Sequence, residues 1–208
     1  MMKKALKNFY IDVPKNRVLM RLGKKFKTRI PPKIENKIDE IISSAKNYIE
    51  TAGVYEIFAF SLFKDKRLRQ VIINDDYTFN SKYLFNLLKD SEKTALAACT
   101  IGSKLSERVK FLMETGNMSD AVILDAFGSE SAESCIEYIH RLIEQSVRLQ
   151  GYKVTRRFSP GYGDVSLTDN QQILKMLGEN ETGITINESC IMSPEKSVTA
   201  IIGLEKSN

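Results

Sequence analysis

The 208-residue chain has no tryptophan, one histidine, three widely spaced cysteines and no long apolar run. A single histidine leaves no Ser-His-Asp or Cys-His set for nucleophilic catalysis, so no catalytic residues are predicted. Without a Cys-x-x-Cys pair, the sequence predicts neither a disulfide framework nor a metal site. No segment reaches the apolar length that spans a membrane, and the basic first residues lack the apolar core of a secretion signal. These shortages favour a cytoplasmic protein.

Two further absences narrow the classes of ligand. Lysine and arginine number 31 against 26 acidic residues, but aromatic residues do not alternate with basic ones as in single-strand binders. We therefore expect no nucleic-acid partner. No Gly-x-Gly-x-x-Gly follows a predicted strand, which argues against a Rossmann-type methyltransferase. Much of the basic excess lies before residue 34, where it predicts either a solvated arm or a surface that attracts acidic partners.

The apolar pattern predicts a basic, irregular N-terminal arm over residues 1–32 and a single domain over residues 33–208. A helix of about five turns follows Pro31-Pro32 and is expected to end at Gly53. Residues 54–63 and 70–73 are rich in β-branched and aromatic residues and predict strands.

These strands are followed by a short helix capped by Ser81, a buried strand over 94–101 and a helix that begins at Gly102-Ser103 and runs to residue 114. A long helix from about Ser119 to Leu149 has apolar residues at helical spacing, with Val122 on the buried face. Its Gly128 predicts a bend or a close packing contact.

A helix capped by Thr168 and two strands, near 184–186 and 198–204, complete the pattern. Helices and strands do not alternate strictly. The sequence therefore predicts an α+β fold with a largely antiparallel twisted sheet and packed helices.

The residue types best suited to binding a small ligand occur together in residues 157–164, Arg-Phe-Ser-Pro-Gly-Tyr-Gly-Asp. Arg157 offers a planar set of donors that suits a carboxylate or phosphate. Gly161 and Gly163 can adopt positive φ and allow a ligand to approach the backbone. The segment could hold a small, flat, anionic molecule, although its residue types equally fit an ordinary surface connection.

The spacing of Arg157, Pro160, Gly161 and Tyr162 resembles the Arg-x-x-Pro-Gly-Tyr loop that holds S-adenosylmethionine in the activation (reactivation) domain of cobalamin-dependent methionine synthase. Residues 120–140 resemble the long helix before that loop. Residues 187–199 resemble the family's Glu-Ser-x-x-Met-x-Pro-x-x-Ser-Val-Ser. The first hundred residues are similar to the family only in element order. Ala200 replaces a usual glycine, and a later aromatic segment is missing.

This resemblance implies a free-standing activation-type domain that binds S-adenosylmethionine as methyl donor. It implies that Arg157 pairs with the ligand carboxylate and Glu133 with the ammonium. Backbone groups of Ser159 and Gly161 would meet the adenine or ribose, and Tyr162 would stack on or hydrogen-bond the ligand. Glu133 could instead be a solvated helix carboxylate, and Tyr162 a surface aromatic.

The same resemblance implies action in trans, because no cobalamin module is visible in the sequence. Cobalamin would be carried by a cobalamin-binding methionine synthase or another corrinoid protein. A flavodoxin- or ferredoxin-like protein would supply one electron. His140 lacks the surrounding Asp-x-His-x-x-Gly of a cobalt ligand and is predicted to be structural. Two alternatives remain: a non-catalytic S-adenosylmethionine sensor and a basic adaptor without a small ligand.

Overall fold

A computed structural model of the chain describes residues 3–24, 29–65, 68–178 and 180–207. The strands in this part of the chain are β1 (Lys3–Lys7), β2 (Ala52–Phe58), β3 (Phe60–Lys64), β4 (Arg69–Ile73), β5 (Tyr77–Asn80), β6 (Lys93–Thr100), β7 (Tyr152–Val154), β8 (Thr185–Ile186), β9 (Met192–Ser193) and β10 (Ser197–Lys206). The helices are α1 (Lys15–Arg21), α2 (Pro32–Ala45), α3 (Lys82–Leu88), α4 (Lys104–Glu114), α5 (Met118–Arg148) and α6 (Asp169–Leu177).

A five-stranded antiparallel sheet in the order β1-β2-β6-β10-β7 divides the molecule into two layers. Its central strand β6 sends Ala95, Ala97 and Cys99 to one face and Leu96 and Ala98 to the other. Successive side chains of a strand point to opposite faces, and the small residues let helices pack closely on both. The α+β prediction with a largely antiparallel sheet is confirmed.

One face of this sheet is covered by α5, which is 31 residues long. Ile136, Ile139 and Ile143 of α5 are fully buried in the core on this face, while α1, α2 and α4 pack beside the helix. At Gly128 a Cβ would overlap Leu105 of α4, so this glycine permits the close packing contact that was predicted. Despite the length of α5, none of the described helices is apolar enough to cross a membrane.

The opposite face is covered by α3 and α6 and by a second antiparallel sheet in the order β3-β4-β5. Phe79, Leu84 and Ile173 are fully buried in this second layer. The core of the molecule is therefore split by the central sheet, and any segment that passes its edge can contact both layers.

Several predicted elements of the central sheet and of both layers are confirmed. They include β4, β6 and α4, each within two residues of the expected bounds. The Ser81 cap is also confirmed, since its hydroxyl accepts a hydrogen bond of 2.9 Å from the Leu84 amide.

The prediction that the N-terminal arm over residues 1–32 is irregular is wrong for two segments. Strand β1 pairs with β2 at the edge of the central sheet, and Val18 and Leu19 of α1 are buried. The lysines of β1 made this segment look like a solvated arm in the sequence. Exposed charge is common on edge strands because it discourages association with other chains. Residues 25–28 of the predicted arm lie outside the described residues. The domain boundary at residue 32 stays a prediction.

The predicted helix end at Gly53 is wrong, because α2 ends at Ala45 and Gly53 lies within β2. A Cβ at Gly53 would overlap Ile139 of α5, so the glycine allows strand and helix to approach. The predicted strand over 54–63 is two strands, β2 and β3, in different sheets.

Two details of the helix predictions are also wrong. Val122 was placed on the buried face of α5, but it lies near the first turn and is 52% exposed. Thr168 precedes α6 without capping it through its side chain. Its hydroxyl instead lies 2.7 Å from that of Ser166.

Close packing around Gly203 of β10 predicts a position that is sensitive to substitution. A Cβ there would lie 2.8 Å from Leu88 Cδ2, 2.9 Å from Thr155 Cγ2 and closer still to Ser91 Oγ. We expect Gly203→Ala to lower the free energy of unfolding by about 1–3 kcal/mol, because three neighbours must move. Denaturant unfolding measures this, with the exposed strand substitution Ser61→Ala as control. Equal stability of the two variants would contradict the packing described.

Candidate functional site

The segment after β7 continues along the edge of the central sheet. The Thr155 amide donates to the Gly203 carbonyl at 2.9 Å, and Phe158 and Ile201 exchange backbone hydrogen bonds of 2.9 and 2.7 Å. Residues 155–158 therefore run beside β10 and stay attached to it.

Consecutive side chains of this edge segment reach the two different layers. Arg156 and Phe158 both contact Tyr83 of α3, whereas Arg157 reaches Glu133 of α5. This is the alternation expected of extended backbone. The adjacent residues Arg156 and Arg157 therefore belong to two different walls of one cleft, on the α3 side and on the α5 side.

The wall on the α5 side is defined by the ion pair between Arg157 Nη2 and Glu133 Oε2. The two side chains are 27% and 39% exposed, so solvent weakens their attraction and the pair can open at small energetic cost.

Neighbouring carboxylates on α5 pair with a different element. Arg17 of α1 donates to both oxygens of Glu137 at 2.9 Å, and Arg21 donates to Glu130 at 2.6 Å. Glu133 lies between these two carboxylates and pairs with the loop instead.

The wall on the α3 side is aromatic. The rings of Tyr83 and Phe158 are stacked, with centroids 4.6 Å apart and an interplanar angle of 27°. The Arg156 guanidinium carbon lies 5.4 Å from the centre of the Tyr83 ring, and the same guanidinium donates to the Tyr83 hydroxyl.

Asp164 fixes the loop to the start of α3. Its carboxylate accepts hydrogen bonds from the Ser81 hydroxyl at 2.5 Å and the Lys82 amide at 2.8 Å, with the Tyr83 amide at 3.3 Å. Partial burial acts to raise the pKa of Asp164, but these hydrogen bonds outweigh it and leave the pKa below its ordinary value. Gly163 lies beside the Tyr83 and Phe158 rings, and its φ of 59° is in the left-handed region that favours glycine.

Between the two walls is an open cleft of about 320 Å³, near the lower limit for small-molecule sites. An arginine–glutamate pair bounds one side, and an aromatic pair with a second arginine bounds the other. Its lining residues are Tyr83, Glu133, Arg156, Arg157, Phe158, Ser159 and Tyr162.

We found no family model that matches the sequence and no match among curated proteins. Among solved structures, the chain is similar to a crystal structure of the MetH reactivation domain bound to AdoHcy. The TM-score is 0.71, the match covers 100% of this chain and 80% of that chain, and the sequences are 13% identical. This chain has the reactivation-domain fold. The family resemblance is therefore confirmed for the architecture, while the roles of individual residues stay predictions.

Within this reactivation-domain fold, four of the five predicted binding residues line the cleft: Glu133, Arg157, Ser159 and Tyr162. Tyr162 is 69% exposed at its rim. The Ser159 hydroxyl donates to the Thr199 carbonyl at 2.6 Å and so ties the loop to β10.

Gly161 is the predicted residue that does not line the cleft. Its amide donates to the Val165 carbonyl at 3.0 Å and its φ is 88°, so it shapes the turn of the loop. A backbone contact from Gly161 to a ligand would have to use its carbonyl group.

Three lining residues were missed: Tyr83, Arg156 and Phe158. The doubled arginine was a visible signal, since adjacent residues of an extended segment face opposite sides. The contribution of Tyr83 was not visible, because it depends on contacts between α3 and a segment about eighty residues later in the chain.

His140 has the structural role that was predicted. Its Nε2 lies 2.9 Å from the Thr155 carbonyl, which joins α5 to the start of the edge segment. Among the described residues, no group of three or more histidine, cysteine, aspartate or glutamate side chains is placed to hold a metal ion.

The Asp164 contacts predict a pH-dependent contribution to stability. Because its folded-state pKa is lowered, ionised Asp164 stabilises the fold above the unfolded carboxyl pKa, about 3.9, and this contribution is lost as the pH falls through the lower folded value. We expect Asp164→Ala to reduce the free energy of unfolding by about 1 kcal/mol at neutral pH.

Thermal unfolding of wild type and Asp164→Ala between pH 7 and pH 3 measures this effect, with the exposed Asp90→Ala as control. The difference from wild type should shrink towards the acidic end. A difference that is constant with pH would show that the charge of Asp164 contributes nothing.

Proposed function

We propose that this chain binds S-adenosylmethionine in the cleft between α3 and α5 and presents it as methyl donor to a corrinoid protein. The observation that carries the proposal is the Arg157–Glu133 pair, which places opposite charges from two elements on one wall of a small-molecule cleft. The fold supports it, since the similar MetH reactivation domain was crystallised with AdoHcy.

The charges of this pair match the amino-acid end of the ligand. An α-amino acid carries a carboxylate and an ammonium on one carbon, and Arg157 and Glu133 offer the complementary cation and anion. Without ligand the two side chains neutralise each other. On binding, one partly exposed ion pair is exchanged for two charge-assisted interactions with the ligand, so neither protein charge is left without a partner.

The remainder of the loop supplies the predicted contacts beyond the amino acid. Backbone groups of Ser159, together with the Gly161 carbonyl, would meet the adenine or ribose. Tyr162 at the exposed rim would cover the ligand by stacking or by a hydrogen bond from its hydroxyl. Its exposure leaves it able to adjust to a bound nucleoside.

The reaction that such a site supports needs alignment more than acid–base catalysis. Bound S-adenosylmethionine would supply its sulfonium methyl group to cobalt that one electron had reduced from Co(II) to Co(I), and S-adenosylhomocysteine would be left as the product. The protein's contribution is to hold the sulfonium where the corrinoid can approach. In this proposal a cobalamin-binding methionine synthase carries the cobalamin, and a flavodoxin- or ferredoxin-like protein supplies the electron. Another corrinoid methyltransferase could be served in the same way.

Calorimetric titration with S-adenosylmethionine tests the binding site. We expect wild type to bind, and Arg157→Ala and Glu133→Gln each to weaken binding about tenfold to a hundredfold, because each loses a charge-assisted hydrogen bond to the ligand. The matched control is Arg148→Ala, which removes an exposed arginine at the end of α5.

A second experiment adds a Co(II) corrinoid protein and a one-electron donor to the protein with S-adenosylmethionine and measures methyl transfer. Methyl transfer there supports the activation role, whereas binding without transfer to any corrinoid protein would favour a sensor. No binding by wild type, with or without the corrinoid protein, would contradict the proposed function.

A further inference from the structure

We propose that Tyr83 and Arg156 form the nucleoside-recognising wall of the cleft and determine its specificity for adenosyl ligands. This inference rests on the proposed function and deepens it. Neither residue belongs to the Arg-x-x-Pro-Gly-Tyr segment, and both lie on the side of the cleft that faces away from Glu133.

The alternation of the edge segment separates the two ends of the site. Arg157 points to the carboxylate of Glu133, and Arg156 points to the aromatic ring of Tyr83. A ligand whose amino-acid group lies at the first arginine therefore directs the rest of its structure towards the second. The chemistry of that second wall, one aromatic ring and one guanidinium plane, suits a flat heterocycle that can stack on both.

The aromatic part of the second wall is held in place by contacts within the protein. Asp164 accepts hydrogen bonds from the amides at the start of α3, which sets Tyr83 against the loop. Phe158 stacks on the Tyr83 ring and is itself fixed by paired backbone hydrogen bonds to Ile201. The purine would meet a surface that needs little ordering, which favours affinity.

The contact between Arg156 and Tyr83 gives both residues a part in recognition. The Tyr83 hydroxyl accepts a hydrogen bond from Arg156 and so holds the guanidinium over the aromatic wall. Bases stack readily on aromatic rings and on arginine planes. Tyr162, which also lines the cleft and is exposed, would add a further contact to the purine.

The test uses two ligands that separate the ends of the site: S-adenosylhomocysteine, and 5′-methylthioadenosine, which has the nucleoside but no amino-acid group. We expect Tyr83→Ala and Arg156→Ala to weaken binding of both ligands about tenfold, as loss of a base-stacking side chain does. Arg157→Ala should weaken S-adenosylhomocysteine alone. The matched control is Tyr152→Ala, which removes a half-buried tyrosine on β7 that bonds Glu92 away from the cleft.

Thermal unfolding of each variant checks that the fold is retained, and the exposed Arg156 provides a substitution that leaves the core untouched. If wild type binds S-adenosylhomocysteine but both Tyr83→Ala and Arg156→Ala bind it equally well, this inference is wrong and the proposed function stands. Failure of methylthioadenosine to compete at millimolar concentration would also overturn the inference. Failure of wild type to bind any adenosyl ligand would overturn the proposed function itself.

Discussion

The packing of α5 across the central sheet is the contact on which the rest of the molecule depends. It is possible because β6 carries alanines and a cysteine on that face and because Gly53 and Gly128 leave room for Ile139 and Leu105. Burial of the apolar stripe fixes the rotation of the helix. Its other residues, including Glu133, are then held at defined positions towards α1 and the loop.

The edge of the sheet provides the second constraint. Residues 155–158 remain bonded to β10, and the period of extended backbone therefore sends one arginine to each layer. A loop free of the sheet would not fix which arginine meets which wall. The cleft thus combines a charged side from the α5 layer with an aromatic side from the α3 layer, and their order matches a ligand with an amino acid at one end and a nucleoside at the other.

Prediction from sequence succeeded where local pattern determines structure. The α5 stripe, the Ser81 cap and the small-residue strand β6 each follow from periodicity or side-chain chemistry over a few residues. It failed where contacts with distant parts of the chain determine the secondary structure. The lysine-rich β1 is a strand because it pairs with the edge of β2, and Gly53 belongs to a strand because β2 pairs with β6, a partner about forty residues later in the chain.

The residues of the candidate site also divide into those that a local motif indicates and those that only contacts between distant segments bring to the cleft. Arg157, Ser159, Tyr162 and Glu133 could be proposed from motifs, whereas Tyr83 is brought to the cleft by contacts of Asp164 with the start of α3. A crystal structure of the protein with S-adenosylhomocysteine tests the central claim most directly. The account predicts that the Arg157–Glu133 pair opens, with the ligand carboxylate on Arg157 and its ammonium on Glu133. A bound ligand with that pair still closed and the amino acid elsewhere would contradict it.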